Sequence, residues 1–260
     1  MIASMSLFDR FSLAGKRLFI TGGSRGLGRA MALGFAEHGA DLIIASRKLD
    51  ACEEVAAEIR AMGRKAIAVA ANVSRWDDCD LLIHHAYQAF GKVDVLVNNA
   101  GLSPLYGKLS DVGESLFDKV VGLNLKGPFR LSSVIGERMA EGDGGSIINI
   151  SSTAAANPAP HAEPYGAAKA GLNNLTRSFA FAFGPKVRVN SIMCGPFLTD
   201  ISKAWDMEVF AKRAATSIAL KRGGQASEVV GAALYFASDA SSFTTGAVLR
   251  VDGGTGGGGV

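Results

Sequence analysis

Cysteine is scarce: Cys52, Cys79 and Cys194 are the only three in 260 residues, odd in number and far apart. No Cys-x-x-Cys pair and no Cys/His set at zinc-ligand spacing accompanies them, so neither a disulfide framework nor a structural zinc is expected, and the default is a reducing compartment. Charge of one sign is lacking too. Lys and Arg number 27 against 24 Asp and Glu, a formal net charge of +3, and the densest basic clusters are pairs such as Arg47-Lys48 and Lys221-Arg222. Without a basic patch there is no electrostatic footprint for nucleic acid or anionic lipid, so partners are expected to be small or neutral molecules. Long apolar runs are also missing. No stretch approaches about 18 uninterrupted apolar residues, and Asp9 and Arg10 interrupt the first segment before a signal core could form. The expectation is a soluble, cytoplasmic protein with no membrane span.

What is present is a packed globular composition, 48% hydrophobic and 20% charged, in a chain long enough to bury about three quarters of its unfolded surface. Short apolar or β-branched runs read as strands at Arg17 to Thr21, Asp41 to Ser46, Ala66 to Ala71, Val93 to Val97, Ser146 to Ile150, Val187 to Ile192 and Ala247 to Val251. Helical spacing fills the gaps at Gly28 to Glu37, Leu49 to Met62, Trp76 to Phe90, Asp111 to Met139, Tyr165 to Phe183 and Ser227 to Ser238. Continuous apolar strands alternating with helices mean right-handed βαβ crossovers and a parallel sheet covered on both faces. The fold class is therefore α/β, a doubly wound parallel sheet in one domain. Gly195 to Gly224 reads as an irregular segment without a strand of its own, a wall or lid beside a substrate pocket. The tail Gly253 to Val260, with six glycines in eight residues, is expected to fray.

The first strand runs into Thr21-Gly22-Gly23-Ser24-Arg25-Gly26-Leu27-Gly28 and then a helix. Strand, glycine turn and helix together form a dinucleotide cradle: Gly22 for the tight turn, Gly26 for approach to a pyrophosphate, Gly28 for close helix packing, and the helix N-terminus for positive potential. At the end of strand two an acidic side chain would accept from a ribose 2′-hydroxyl and repel a 2′-phosphate. Here the chain reads Ala45-Ser46-Arg47, with Arg25 in the glycine loop, and guanidinium forks suit a phosphate, so NADP(H) is favoured over NAD(H). Tyr165 and Lys169, four apart on a helix, share one face. An ammonium beside a phenol of ordinary pKa about 10 is expected to favour the phenolate and bring that pKa down.

The Gly-x-x-x-Gly-x-Gly spacing, Asn98-Asn99-Ala100-Gly101, Asn124, Ser152 thirteen residues before Tyr165, and Tyr165-Gly166-Ala167-Ala168-Lys169 follow in the order of the short-chain dehydrogenase/reductase family. The chain resembles that family from about Ser12 to Gly254, and most resembles its gluconate, glucose and 3-oxoacyl reductase-like members. The resemblance implies a sheet of seven strands, a homotetramer or homodimer, and NAD(P)-linked carbonyl/alcohol chemistry. It makes Asn124, Ser152, Tyr165 and Lys169 the catalytic set. Tyr165 would exchange the proton, Lys169 would also bond the nicotinamide ribose, Ser152 would donate to the substrate oxygen, and Asn124 would anchor a water.

The implied cofactor contacts begin with Gly22, Ser24, Arg25, Gly26, Leu27, Gly28, Ser46 and Arg47. They continue with Asn72, Val73, Asn99, Ala100 and Gly101, and end with Tyr165, Lys169, Gly195, Pro196 and Thr199. Asn72 stands where an Asp commonly meets the adenine, and its amide keeps both donor and acceptor. Cys194 stands where the family usually has proline, and a small buried hydrophobe is its expected role. His161 and Glu163 border the expected substrate side. Phe117, Val121, Phe129, Phe179 and Phe183 are candidates for a helix-to-helix interface in a homotetramer. The acidic run Met139-Ala140-Glu141-Gly142-Asp143 would repel an acidic acyl carrier, although Lys186 could still meet one. The rival readings are a dinucleotide-binding redox sensor without turnover, which the Tyr/Lys pair disfavours, and a 3-oxoacyl thioester reductase.

Overall fold

The computed structural model describes residues 6–158, 160–200, 202 and 205–256. A four-residue helix α1 (Leu7–Arg10) precedes β1 (Arg17–Thr21), α2 (Gly26–Glu37), β2 (Asp41–Ser46), α3 (Leu49–Ala61) and β3 (Ala66–Ala70). Then follow α4 (Trp76–Phe90), β4 (Val95–Asn98), α5 (Glu114–Val121), α6 (Gly127–Glu141), β5 (Gly145–Ser152), α7 (Glu163–Phe183) and β6 (Val187–Cys194). The last elements are β7 (Phe197–Leu198), α8 (Met207–Ser217), β8 (Gly224–Gln225), α9 (Val230–Ala237) and β9 (Val248–Val251).

Seven strands form one parallel sheet in the order β3-β2-β1-β4-β5-β6-β9. Alternate strand residues feed two cores. Leu18, Ile20, Leu42, Ile44, Val97 and Ile148 pack with Phe35 of α2, Ile59 of α3 and Phe236 of α9. On the other face Phe19, Ile43, Leu96 and Ile147 meet Leu82 of α4, Leu131 and Ile135 of α6 and Phe179 of α7. Both faces are covered, which is why the strands are apolar throughout. The chain reverses its order beside β1, and open α/β sheets bind ligands beyond the carboxyl ends of the strands at such a point, here those of β1 and β4.

Three elements differ from the sequence reading. The helix expected from Asp111 to Met139 runs continuously from Glu114 to Glu141 but is distorted between α5 and α6 by a π turn over Gly122–Lys126. A Cβ on Gly127 would lie 2.1 Å from the Val73 carbonyl oxygen, so the chain is packed too tightly there for a side chain, and Pro128, at the start of α6, has no backbone N–H to donate. Second, the segment from Gly195 to Gly224 is not irregular. Its Phe197–Leu198 strand pairs in parallel with Gly224–Gln225, and α8 starts at Asp206, whose carboxylate accepts from the amides of Glu208 and Val209, both at 3.0 Å. Third, residues 253–256 of the tail are folded: Leu220 N–H donates to the Gly253 carbonyl at 3.0 Å and Thr255 bridges Ile218. Residues 257–260 lie outside the described residues.

Candidate active site

The glycine turn is fixed from both sides. Gly22 has φ +64° and Gly26 φ +53°, both in the region that favours glycine. A Cβ on Gly28 would lie 2.1 Å from the Gly22 carbonyl oxygen, and one on Gly22 would lie 2.8 Å from Asn99 Nδ2. Asn99 therefore braces the turn: its Nδ2 donates to the carbonyls of Thr21 (2.9 Å) and Gly22 (3.0 Å). Thr21 Oγ1 in turn accepts from the amides of Asn99 and Ala100. This role of Thr21 was not legible in the sequence. No side chain caps α2, so its first amides are left for an anion, and the turn fits a pyrophosphate. Thr199 reaches this cradle, 3.4 Å from where a Gly26 Cβ would stand.

Around the base and ribose end the expected residues divide. Arg25 and Arg47 are exposed, and neither guanidinium has an ion pair or hydrogen bond among the described residues. Ser46 is already engaged, its hydroxyl 3.0 Å from Cys52 Sγ and donating at 3.4 Å to the Lys48 carbonyl. Asn72 is changed more. Its Oδ1 accepts from both the amide (3.2 Å) and the hydroxyl (2.9 Å) of Ser74, so the acceptor expected to remain for an adenine is occupied and only the amide donor is open. Val73 is buried beside Gly127. Gly195 meets a steric need, since its Cβ would lie 2.6 Å from Asp252 Cα, and the Pro196 carbonyl accepts from Gly224 at 3.0 Å. Ser24 and Leu27 lie on the glycine turn, partly buried.

The catalytic candidates converge at the ends of β5 and α7. Ser152 is the last residue of β5, its Oγ accepts from Ala154 N–H at 3.2 Å, and its hydroxyl is near enough to the Tyr165 phenol to favour the ionised form. Lys169 is 2% exposed, donates to the Ile150 carbonyl at 2.7 Å, and stands 5.8 Å from the Tyr165 ring centroid. Asn124 is fully buried in the π turn, a distortion that recurs at functional sites. Its Nδ2 donates to the carbonyls of Leu102 (2.8 Å) and Val120 (2.9 Å), and its Oδ1 accepts from Leu102 N–H at 3.3 Å. Both amide hydrogens are taken, so Asn124 pins the loop after Gly101. A Cβ on Gly101 would stand 3.1 Å from Asn124 Oδ1 and 3.7 Å from Lys169 Nζ, which brings cradle and catalytic set together.

The electrostatics correct the sequence expectation. Burial pushes Tyr165 up to about 12, opposed mainly by the Ser152 hydrogen bond, and Lys169 does not bring it down. The reason is that burial also draws Lys169 down to about 8, so the ammonium itself is held at a cost. The Cys194 thiol, buried and paired in register with Ser152, is likewise raised to about 12 by burial. That fits the small buried hydrophobe expected there. On the outer side, Tyr106 hydrogen-bonds the Glu163 carboxylate, and the His161 ring lies 5.9 Å from that of Tyr106. Tyr106 gave no signal in the sequence.

Relatives place this geometry. The family model described as enoyl-(acyl carrier protein) reductase matches residues 22–256. An uncharacterized oxidoreductase of Mycobacterium tuberculosis is 41% identical over 95% of this chain and 95% of its own length. An L-rhamnose 1-dehydrogenase (NAD(P)(+)) of Azotobacter vinelandii is 39% identical over 93% of this chain and 97% of its own. The NADPH-dependent 3-quinuclidinone reductase of Rhodotorula rubra superposes with a TM-score of 0.90 at 30% identity, covering 96% of this chain and 94% of that one. The chain belongs to the short-chain dehydrogenase/reductase family. It is an NAD(P)-linked oxidoreductase that interconverts carbonyl and alcohol groups.

Proposed function

We propose that the protein is an NADP(H)-preferring reductase and dehydrogenase in which Tyr165 exchanges the proton. The observation that carries this reading is the Tyr165 phenol with Ser152 at its side and the Lys169 amine 5.8 Å from its ring, next to a glycine cradle. Gly22, Gly26 and the first amides of α2 would hold the pyrophosphate, Thr199 and Lys169 the nicotinamide end, and Arg25 and Arg47 a 2′-phosphate. When bound, the nicotinamide supplies or accepts the hydride. The side chains do the rest. Ser152 orients the substrate oxygen, and Tyr165 gives that oxygen a proton in reduction and removes it in oxidation. Lys169 would serve the nicotinamide ribose, and Asn124 fixes the loop that faces them. A redox sensor without turnover would have no use for this arrangement.

Free guanidinium groups beside the second strand support the cofactor preference. Arg47→Asp is expected to weaken NADPH far more than NADH, because an attractive charge becomes a repulsive one. A hydrogen bond to a charged group is worth about 1.5 to 3 kcal/mol, so the ratio of kcat/KM values for the two cofactors should shift by roughly tenfold or more. A wild-type enzyme that already favours NADH would defeat the phosphate assignment.

Assembly and surroundings belong to the same reading. Phe179 and Phe183, expected at an interface, are instead buried within the subunit, stacked 5.3 Å apart with Phe183 against Gly136. Phe117, Phe129 and Phe181 remain exposed, on α5, α6 and α7. Exposed aromatic side chains of this kind support a homotetramer, and light scattering at micromolar concentration is expected to return four copies rather than one. Among the described residues no helix is long and apolar enough to cross a membrane. Residues 195–224 would form the substrate lid of a single domain. Glu141 and Asp143 stay exposed at the end of α6, which favours small carbonyl substrates over a carrier-bound acyl chain.

A further inference from the structure

The segment after β4 and the start of α7 are tied together by a tyrosine and a carboxylate. After Gly101 the chain is pinned at Leu102 by Asn124, which donates to the Leu102 carbonyl and accepts from its amide. Four residues on, the Tyr106 hydroxyl donates to Glu163 Oε2 and accepts from the Glu163 amide at 3.1 Å. His161, with φ +63°, sets its ring 5.9 Å from that of Tyr106 and backs the pair. Glu163 is the first residue of α7 and Tyr165 the third, a rise of about 3 Å along the helix. The carboxylate is therefore held within reach of a small molecule whose carbonyl oxygen meets the Tyr165 phenol.

Charge decides what that carboxylate can do. The Tyr106 hydrogen bond, helped by the amides of Glu163 and His161, holds the Glu163 carboxyl below the usual carboxylate range, so it is ionised at neutral pH. Glu163 is exposed, and its second oxygen, Oε1, has no side-chain partner among the described residues. Besides His161, the other basic side chain on these two segments is Lys108, which is exposed and has its amide bonded to the Asp111 carboxylate at 3.2 Å. An ionised carboxylate only accepts hydrogen bonds. A hydroxyl or an ammonium can use it, whereas a second carboxylate meets like charge.

We infer that Glu163, braced by Tyr106, selects carbonyl substrates that carry a hydroxyl or ammonium donor beyond the reacting carbon and turns away those that carry a carboxylate there. Glu163 contacts the substrate, and Tyr106 acts as a positioning residue. The inference rests on the dehydrogenase reading for turnover, but not for the charge preference of the site. It divides hydroxylated and amino ketones from keto acids, a distinction that the fold alone does not make.

The test uses cyclohexanones that differ only in the group opposite the carbonyl: methyl, hydroxyl, ammonium or carboxylate. In wild type, kcat/KM should be highest for the ammonium and hydroxyl compounds and lowest for the carboxylate. Glu163→Gln keeps an acceptor for Tyr106 and removes the charge. Relative to the methyl compound, it should raise kcat/KM for the carboxylate and lower it for the ammonium, each by about tenfold. Tyr106→Phe keeps the charge and loses the brace. Its KM should rise about threefold for the hydroxyl and ammonium compounds relative to the methyl one, the scale of one hydrogen bond, whereas a merely structural loss would raise KM for all of them alike. Wild type that uses the ammonium and carboxylate compounds equally well, or a Glu163→Gln profile that matches wild type, would overturn the inference. A wild-type protein that turns over no carbonyl or alcohol would defeat the dehydrogenase reading. Titration of the same compounds by ligand-observed NMR would then still decide the charge preference: tighter binding of the ammonium than of the carboxylate supports it, and no difference between them overturns it.

Discussion

Tyr165→Phe should leave a folded protein that binds NADPH and does not turn over. The ring keeps its place on α7, and only the hydroxyl beside Ser152 is removed. General acid/base groups contribute about 10² to 10⁴ in rate, so the loss should appear in kcat, with cofactor affinity unchanged by fluorescence titration. The pH dependence follows from the direction of the shift. Alcohol oxidation needs the phenolate, and because burial holds Tyr165 at about 12, oxidation should keep rising with pH through the alkaline range. Reduction uses the protonated phenol and should not require high pH. A folded Tyr165→Phe enzyme with near wild-type kcat would refute the assignment.

Lys169→Met should lower activity and raise stability together. Burial brings the ammonium from its ordinary 10.5 down to about 8, a difference worth about 3 kcal/mol against the charged form. At neutral pH the folded chain must hold that charge, while the unfolded chain holds it in water. Between pH 8 and 10.5 the unfolded state binds more protons than the folded one, so wild-type stability should increase with pH through that window. Methionine removes the buried charge but leaves the Ile150 carbonyl without its 2.7 Å donor, a loss of about 1 to 3 kcal/mol. The net gain should be about 1 kcal/mol, roughly 2 to 4 °C in Tm at pH 7, shrinking as the pH approaches 10. Turnover should fall about 10²-fold or more, as when a preorganised cation or donor is removed from an active site. Such a trade is expected of a residue kept for chemistry. A variant less stable than wild type at pH 7 would mean that Lys169 serves mainly as a structural donor.

Much of this was legible in the sequence because it depends on local pattern. The strands carry continuous apolar runs, and the glycines of Gly22 to Gly28 answer to steric limits that sequence order alone conveys. Ser152, Tyr165 and Lys169 met as their spacing implied. What could not be read depends on long-range packing. The π turn around Asn124 arises where Gly127 presses on the Val73 carbonyl. The acceptor of Asn72 is taken by its neighbour Ser74, a local alternative that composition does not reveal. Helix α8 was missed because only Phe210 and Ala214 of its residues are buried, too few for an apolar period, although Asp206 offered a cap signal. The upward shift of Tyr165 required knowing that both it and Lys169 lose their water.

The most direct measurement of the central claim uses NADPH carrying deuterium at both C4 positions, a ketone that the enzyme reduces, and mass spectrometry of the alcohol. The account requires one deuterium on the carbinol carbon of the wild-type product and no product above background with Tyr165→Phe. Cofactor oxidation that leaves the alcohol unlabelled, or a labelled alcohol formed equally well by the Tyr165→Phe protein, would contradict it.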